Sequence, residues 1–219
     1  MKFRILGLLS ASCLVSLASD ARADFITNGG FESPAIAPLP YTTFGVGSTA
    51  ITGWTVVSGV NDPGAGSVDL LGSFAAPHSG RQSVDLDGSS GATSAGGLSQ
   101  TLSGLTVGGS YVVDFFYSNN PNGTTASANV TIGGTLLAGI SHSGASFSSL
   151  NYTEGTYTFI ATAKSEALAF VSTDPAASLN GILLDDVSVN AVPEPASFAM
   201  LGLGLVAAGA VARFRRRNA

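Results

Sequence analysis

Residues 109–120 read GSYVVDFFYSNN, and in this stretch Tyr111, Val113, Phe115 and Tyr117 alternate with Val112, Asp114, Phe116 and Ser118. Successive side chains of a strand point to opposite faces, so the first four share one face and the second four the other, as a half-buried strand requires. The same pattern continues on both sides. Short runs rich in Val, Ile, Thr, Tyr and Phe are separated by clusters of Gly, Ser, Thr, Asn and Asp, with almost no helical periodicity. These runs predict strands over 24–27, 41–46, 50–58, 66–71, 81–87, 97–103, 109–118, 126–132, 135–140, 152–162, 166–173 and 181–190. Many short strands without intervening helices predict an all-β sandwich or jelly roll.

Two segments echo each other, Ser67-Val68-Asp69-Leu70 and Ser83-Val84-Asp85-Leu86, sixteen residues apart. Nothing longer repeats, so they read as two strands of like alternation rather than an internal duplication. The segment from Pro34 to Pro40 carries three prolines, and Asp87 to Gly97 is nearly all Gly, Ser, Ala and Thr. Both are expected to be surface loops.

The ends differ from the middle. Lys2 and Arg4 precede an apolar stretch from Ile5 to about Ala18, and Ala21-Arg22-Ala23 fits a signal-peptide cleavage site, which predicts a signal over 1–23 and a mature chain starting at Asp24. At the other end Ala196 to Ala212 is uncharged and seventeen residues long. As a helix it would reach about 25 Å, near the lower limit for crossing a bilayer. Arg213, Arg215, Arg216 and Arg217 follow within the tail 213–219. By the positive-inside rule they hold this end in the cytoplasm and leave the domain outside.

Cys13 is the only cysteine and lies in the segment expected to be removed, so the mature chain would have no disulfide and no thiolate. About 170 residues remain between the end signals, enough for one domain with a full-sized core. Over residues 24–192, Arg81 and Lys164 face twelve carboxylates, a net charge of −10. Such a surface repels nucleic acid and anionic membranes and leaves neutral polymers, cations or basic surfaces as partners.

Candidate chemistry is sparse. Asp85 and Asp87 are two apart in a strand and share a face, as an acid and base pair would, but carboxylates at turn edges are more often solvated or metal-bound. His78 and His142 have no HxH or HxxxH partner and read as surface-loop histidines, and no serine sits in a G-x-S-x-G elbow. The chain is therefore not expected to be an enzyme. In GILLDDVSVN, period-two counting places Leu183 and Asp185 on the same, inward face as Val187 and Val189, with Asp186 outward. An inward carboxylate needs a counter-charge or several donors. Either a bound Ca²⁺ or loop amides and water at a strand end would serve.

The segments ITNGGFESP, Gly53-Trp54 and LLDDVSV resemble the frame of carbohydrate-binding modules with a galactose-binding-like jelly roll. More closely, NGGFE, GWTVVSG, GSVDLL, QSVDLDG, GGLSQTLSGLTVGGSYVVDFF, LAFVST and LLDDVSV, in that order, resemble the choice-of-anchor C family over residues 24–190. That family is related to a plant cell-wall protein family. The resemblance implies a structural Ca²⁺ held by Glu32 and Asp185, with backbone oxygens near Asn28. It also implies glycan contact, for which Tyr41, Phe44, Tyr117 and Tyr152 are the candidates; Trp54 is expected in the core.

Residues 191–219, with Val192, Pro193, Glu194 and Pro195 ahead of the apolar run and the basic tail, resemble the PEP-CTERM sorting signal. That resemblance implies export, a transient stay in the inner membrane of a Gram-negative bacterium, and cleavage by exosortase after signal peptidase has acted. The expected function is a surface or matrix protein binding exopolysaccharide or cell-wall glycan. The alternatives are a purely structural matrix component and, less expected, a glycan hydrolase.

Overall fold

The computed structural model describes residues 24–91, 93–193 and 213. Ala21, Ala23, Glu194, Pro195, the apolar run 196–212 and Arg215, Arg216 and Arg217 lie outside the described residues.

Eleven strands are described: β1 Tyr41–Gly45, β2 Thr55–Ser58, β3 Ser67–Leu71, β4 Ser83–Asp85, β5 Gly96–Ser103, β6 Ser110–Asn119, β7 Thr125–Ile132, β8 Thr135–Ser143, β9 Thr153–Ile160, β10 Ser165–Ser172 and β11 Ile182–Ala191. They form two antiparallel sheets. The six-stranded sheet has the order β1-β3-β4-β11-β6-β9 and the five-stranded sheet β2-β5-β10-β7-β8. The fold is an all-β sandwich. The two SVDL segments become β3 and β4, paired side by side with Asp69 opposite Asp85.

The inner faces meet in one core that follows the alternation of β6: Tyr111, Val113 and Phe115 are buried in it, and Tyr117 packs at its margin. Phe115 packs edge-on against Phe170 of the opposite sheet, ring centroids 4.9 Å apart at 77°. Trp54 is buried as expected, beside Phe31, and its indole N–H donates to the Asn28 carbonyl at 3.1 Å.

Two expected strands differ. Residues 24–27 run beside β11 without forming a strand. Phe25 N–H donates to the Val189 carbonyl and the Asp24 carboxylate accepts from Ile26 and Val189 N–H, but Asn28 and Phe31 take positive φ and turn the chain away. The run 50–58 is cut to Thr55–Ser58, because a turn with Gly53 at φ 84° closes through a Trp54 N–H to Ile51 carbonyl bond. Positive φ is the conformation that glycine supplies without steric cost.

β9 carries a close contact that tests the packing. Gly155 lies opposite Phe115, and a Cβ there would sit 2.5 Å from the end of the buried Phe115 ring. Phe170 and Tyr157 flank that ring, so it has nowhere to move. Gly155→Ala should therefore destabilise the fold by ~1–3 kcal/mol, read as a lower urea midpoint with unchanged slope.

Candidate functional site

Part of the outer face of the six-stranded sheet is covered rather than solvated. Leu71 and Leu183 point outward into a second, small core with Ala75 and Leu150, and Phe74, Ala145 and Tyr152 pack against it. The segments around residues 72–82 and 144–152 thus cover this face, and β3, β4 and much of β11 are buried on both sides. Such strands lose the clean alternation of a one-sided sheet.

This burial corrects the expected placement of Asp185. Register breaks between Asp185 and Ser188, and Asp186 takes φ 49°, so β11 carries a β-bulge. A bulge inserts one residue and reverses the side-chain parity that follows it. Ile182 and Leu184 before it, and Val187 and Val189 after it, all reach the main core. Leu183 and Asp185 point the other way. Asp185 is fully buried, but beneath the 72–82 segment rather than inside the sandwich.

Three carboxylates grip that segment. Asp185 accepts from the backbone N–H groups of His78 and Ser79 at 2.8 and 3.1 Å, and from Asp186 N–H at 2.7 Å. Asp186 takes the Ser79 hydroxyl and His78 Nδ1, both at 2.6 Å. Glu32 accepts from Arg81 and Gln82 N–H at 2.6 and 3.0 Å. His78 stacks on Phe116, centroids 3.6 Å apart. It is therefore engaged, as is His142, which sits on β8 rather than in a loop and bridges Asn119 to the Asn151 carbonyl.

Of the residues expected to hold Ca²⁺, Glu32 and Asp185 converge on one segment, where Glu32 Oε1 and both Asp185 oxygens accept backbone N–H groups. Asn28 is committed elsewhere: its side chain bonds Ser33 and Thr52, and its carbonyl accepts from Trp54 and Phe31. Among the described residues no three Asp, Glu, His or Cys side chains are gathered to hold a metal ion.

Asp85 and Asp87 are closed from solvent rather than solvated at a turn edge. Asp85 takes Asp87 and Gly181 N–H on one oxygen and the Asn120 amide on the other, at 2.7–3.0 Å. Burial still pushes its pKa well above the usual carboxylate range. Asp87 is pushed by burial to about 6, against the downward pull of the Ser172 and Ser178 hydroxyls. Burial likewise lifts Asp185 to about 7, against the Ser79 N–H.

Beside this acidic stripe lies an open cleft of about 320 Å³. Tyr41, Leu71 and Phe74 form one wall; Asp69, Ser89, Asn120, Asn122 and Asn180 bring polar groups to the other. Tyr41 stands edge-on to Phe74 at 6.1 Å, and Phe74 edge-on to Phe147 at 5.5 Å, an aromatic row along the rim. Tyr41 is 39% and Phe147 58% exposed. Of the four expected glycan contacts only Tyr41 lines the cleft. Phe44 and Tyr117 pack on the main core, and Tyr152 packs on the outer one with its phenol raised by burial. Phe74 and Phe147 were missed because each stands in a Gly/Ser-rich stretch without strand alternation.

Residues 24–190 match the family described as "Protein of unknown function (DUF642)". The chain belongs to the DUF642 family. Residues 191–217 match the PEP-CTERM protein-sorting motif, which implies export and exosortase processing. The chain is 29% identical to halomucin of Haloquadratum walsbyi over 194 residues, 87% of this chain but 2% of halomucin's length. The DUF642 domain is also similar to the CBM22-1 xylan-binding domain of Paenibacillus barcinonensis Xyn10C, with 17% identity, TM-score 0.46 and coverage of 71% of this chain and 94% of that one. A family 35 carbohydrate binding module from Clostridium thermocellum is similar at 12% identity, TM-score 0.43 and coverage of 68% and 97%.

The raised carboxyls make the stability of the DUF642 domain depend on pH. Asp87 and Asp185 bind protons more tightly folded than unfolded, so their contribution is complete below the ordinary carboxylate range and is lost as pH rises through about 6 and about 7. Thermal melts followed by circular dichroism in EDTA should show Tm falling steadily from pH 5 to pH 8. A Tm that rises over that window would show these carboxyls to be ionised in the folded state.

Proposed function

We propose that this is an exported, exosortase-processed surface protein of a Gram-negative bacterium, held briefly in the inner membrane, whose DUF642 domain binds neutral exopolysaccharide or cell-wall glycan without turning it over. The observation that carries the reading is the aromatic row of exposed Tyr41 and Phe147 with half-buried Phe74 between them, of which Tyr41 and Phe74 line a polar cleft. A pyranose ring has an apolar C–H face that stacks on an aromatic ring, while its hydroxyls seek amides and carboxylates. Among the described residues the side-chain amides of Asn122 and Asn180 make no hydrogen bond, which leaves them available to such hydroxyls. The carboxylates that a hydrolase would use, Asp85 and Asp87, are shut away from the cleft's solvent, which supports binding over turnover.

A second reading, a structural matrix component that associates with itself, is favoured by one feature. Leu136 on β8 and Ile160 on β9, edge strands of the two sheets, are 60% and 66% exposed. Unpaired edges with apolar side chains are templates for association.

Retention on immobilised neutral polysaccharides separates the two. Tyr41→Ala and Phe147→Ala should each weaken retention about tenfold, equivalent to ~1.4 kcal/mol, while changing fold stability by less than ~1 kcal/mol. Failure of the unsubstituted protein to bind any polysaccharide, together with sedimentation as an oligomer that Leu136→Lys dissolves, would replace the first reading with the second.

A further inference from the structure

Among the described residues Asp62 and Glu166 each bury one carboxylate oxygen without a partner, but Asp87 buries both. It is fully buried, and among the described residues neither of its carboxylate oxygens has a hydrogen-bond partner. Its surroundings are close. A Cβ on Gly181 would stand 2.7 Å from both the Asp87 carboxyl carbon and the nearer Asp85 oxygen, so the two acids press against the same glycine. Asp85 is already satisfied by three donors, whereas Asp87 turns toward the Asp174 carboxyl and the Ser172 and Ser178 hydroxyls. Neither hydroxyl completes a hydrogen bond to it.

No protein cation reaches this point to compensate the charge. Arg81 and Lys164 are the only basic residues of the domain, and both are exposed on other segments. A buried carboxylate without donors or counter-charge is among the costliest groups a fold can hold. Two buried carboxylates with the buried Ser172 hydroxyl and the half-buried Ser178 hydroxyl form a hard, all-oxygen donor set, in which Asp174 also accepts from the Ser127 N–H and hydroxyl. Ca²⁺ accepts such sets in loose geometry and completes its six to eight positions from carbonyls or water, whereas Mg²⁺ demands a near-ideal octahedron and keeps its waters.

We propose that Asp87 and Asp174, with the Ser172 and Ser178 hydroxyls, form a Ca²⁺ site at this end of the sandwich. It is separate in place from the Glu32 and Asp185 pair. The ion clamps the segment after β4 to the segment after β10. Those segments carry Ser89 and Asn180 to the cleft, so the site would hold the cleft walls in place. The metal site itself does not depend on the glycan reading, and its test measures metal uptake alone.

The experiment uses protein purified after export of the full chain, stripped with EDTA and titrated with CaCl₂ by calorimetry, with melts in parallel. One Ca²⁺ should bind per chain, and a hundredfold excess over Kd should raise Tm by about 5 °C or more. MgCl₂ should do neither. Asp87→Asn should abolish uptake and melt no lower than the unsubstituted protein in EDTA, because it removes an uncompensated charge. Glu32→Gln should leave uptake intact. If Asp87→Asn does not fold, Ser178→Ala decides, with at least a fivefold weaker Kd expected. No uptake by the unsubstituted protein would show that Asp87 holds only a proton or a water, and overturns the site. So does uptake lost with Glu32→Gln but kept with Asp87→Asn.

Discussion

The β-bulge at Asp185 and Asp186 is the constraint on which the rest of the structure depends. β11 is a central strand of the six-stranded sheet, paired with β4 on one side and β6 on the other. Without the extra residue, a strand that sends Leu184 into the core would send Val187 and Val189 out of it. The bulge lets both halves of the strand feed the core and leaves two adjacent carboxylates at the break. One of them, Asp185, is directed beneath the 72–82 segment and organises it through its backbone N–H groups. The N-terminal segment docks at the same place, with Val187 N–H donating to the Gly29 carbonyl and Phe25 N–H to Val189.

That arrangement also explains how an acidic domain with two basic residues tolerates several buried carboxylates. Backbone amides and hydroxyls do the work of counter-ions: Asp69 takes the Thr43 and Ser89 hydroxyls, Asp85 two N–H groups and an amide, and Glu166 the Thr162 hydroxyl and two N–H groups. Hydrogen bonds of this kind to an ionised acceptor are stronger than neutral ones. The Thr162 hydroxyl is the main cause of the lowered pKa of Glu166, so its contribution to stability is complete at neutral pH and is lost only as pH falls through the acid range, below the window in which Asp87 and Asp185 titrate. Each acceptor also ties a loop to a strand. The covered outer face, the second core and the cleft beside it are products of this tethering, and the cleft draws its walls from five separate segments.

Much of the fold was legible in the chain. The alternation of β6 correctly divided its two faces, ten of the twelve expected runs became strands near their expected bounds, a further run survived only in part as β2, and the repeated SVDL proved to be two neighbouring strands. The run 24–27 failed because hydrogen bonding to β11 stops at a left-handed turn that nothing in its composition signals. The parity of Asp185 failed because period-two counting assumes an unbroken strand. The candidate site was the least legible part. Tyr41 was identified among the aromatics, but Phe74 and Phe147 reach the rim from loops, where no periodicity marks a functional side chain.

The sequence by itself determined the class of the fold, the one-domain extent, the acidic and cysteine-free character of that domain, and the sorting motif at its end. These follow from composition and from short-range periodicity, which act within a few residues of each other. Only the tertiary structure decided which carboxylates are buried and which of them find donors. Those outcomes depend on segments far apart in the chain meeting on one sheet face: Asp85 finds Asn120 and Gly181 across 35 and 96 residues, and Asp185 finds His78 across 107. Burial and hydrogen-bond geometry are properties of that meeting, and no local pattern of residues carries them.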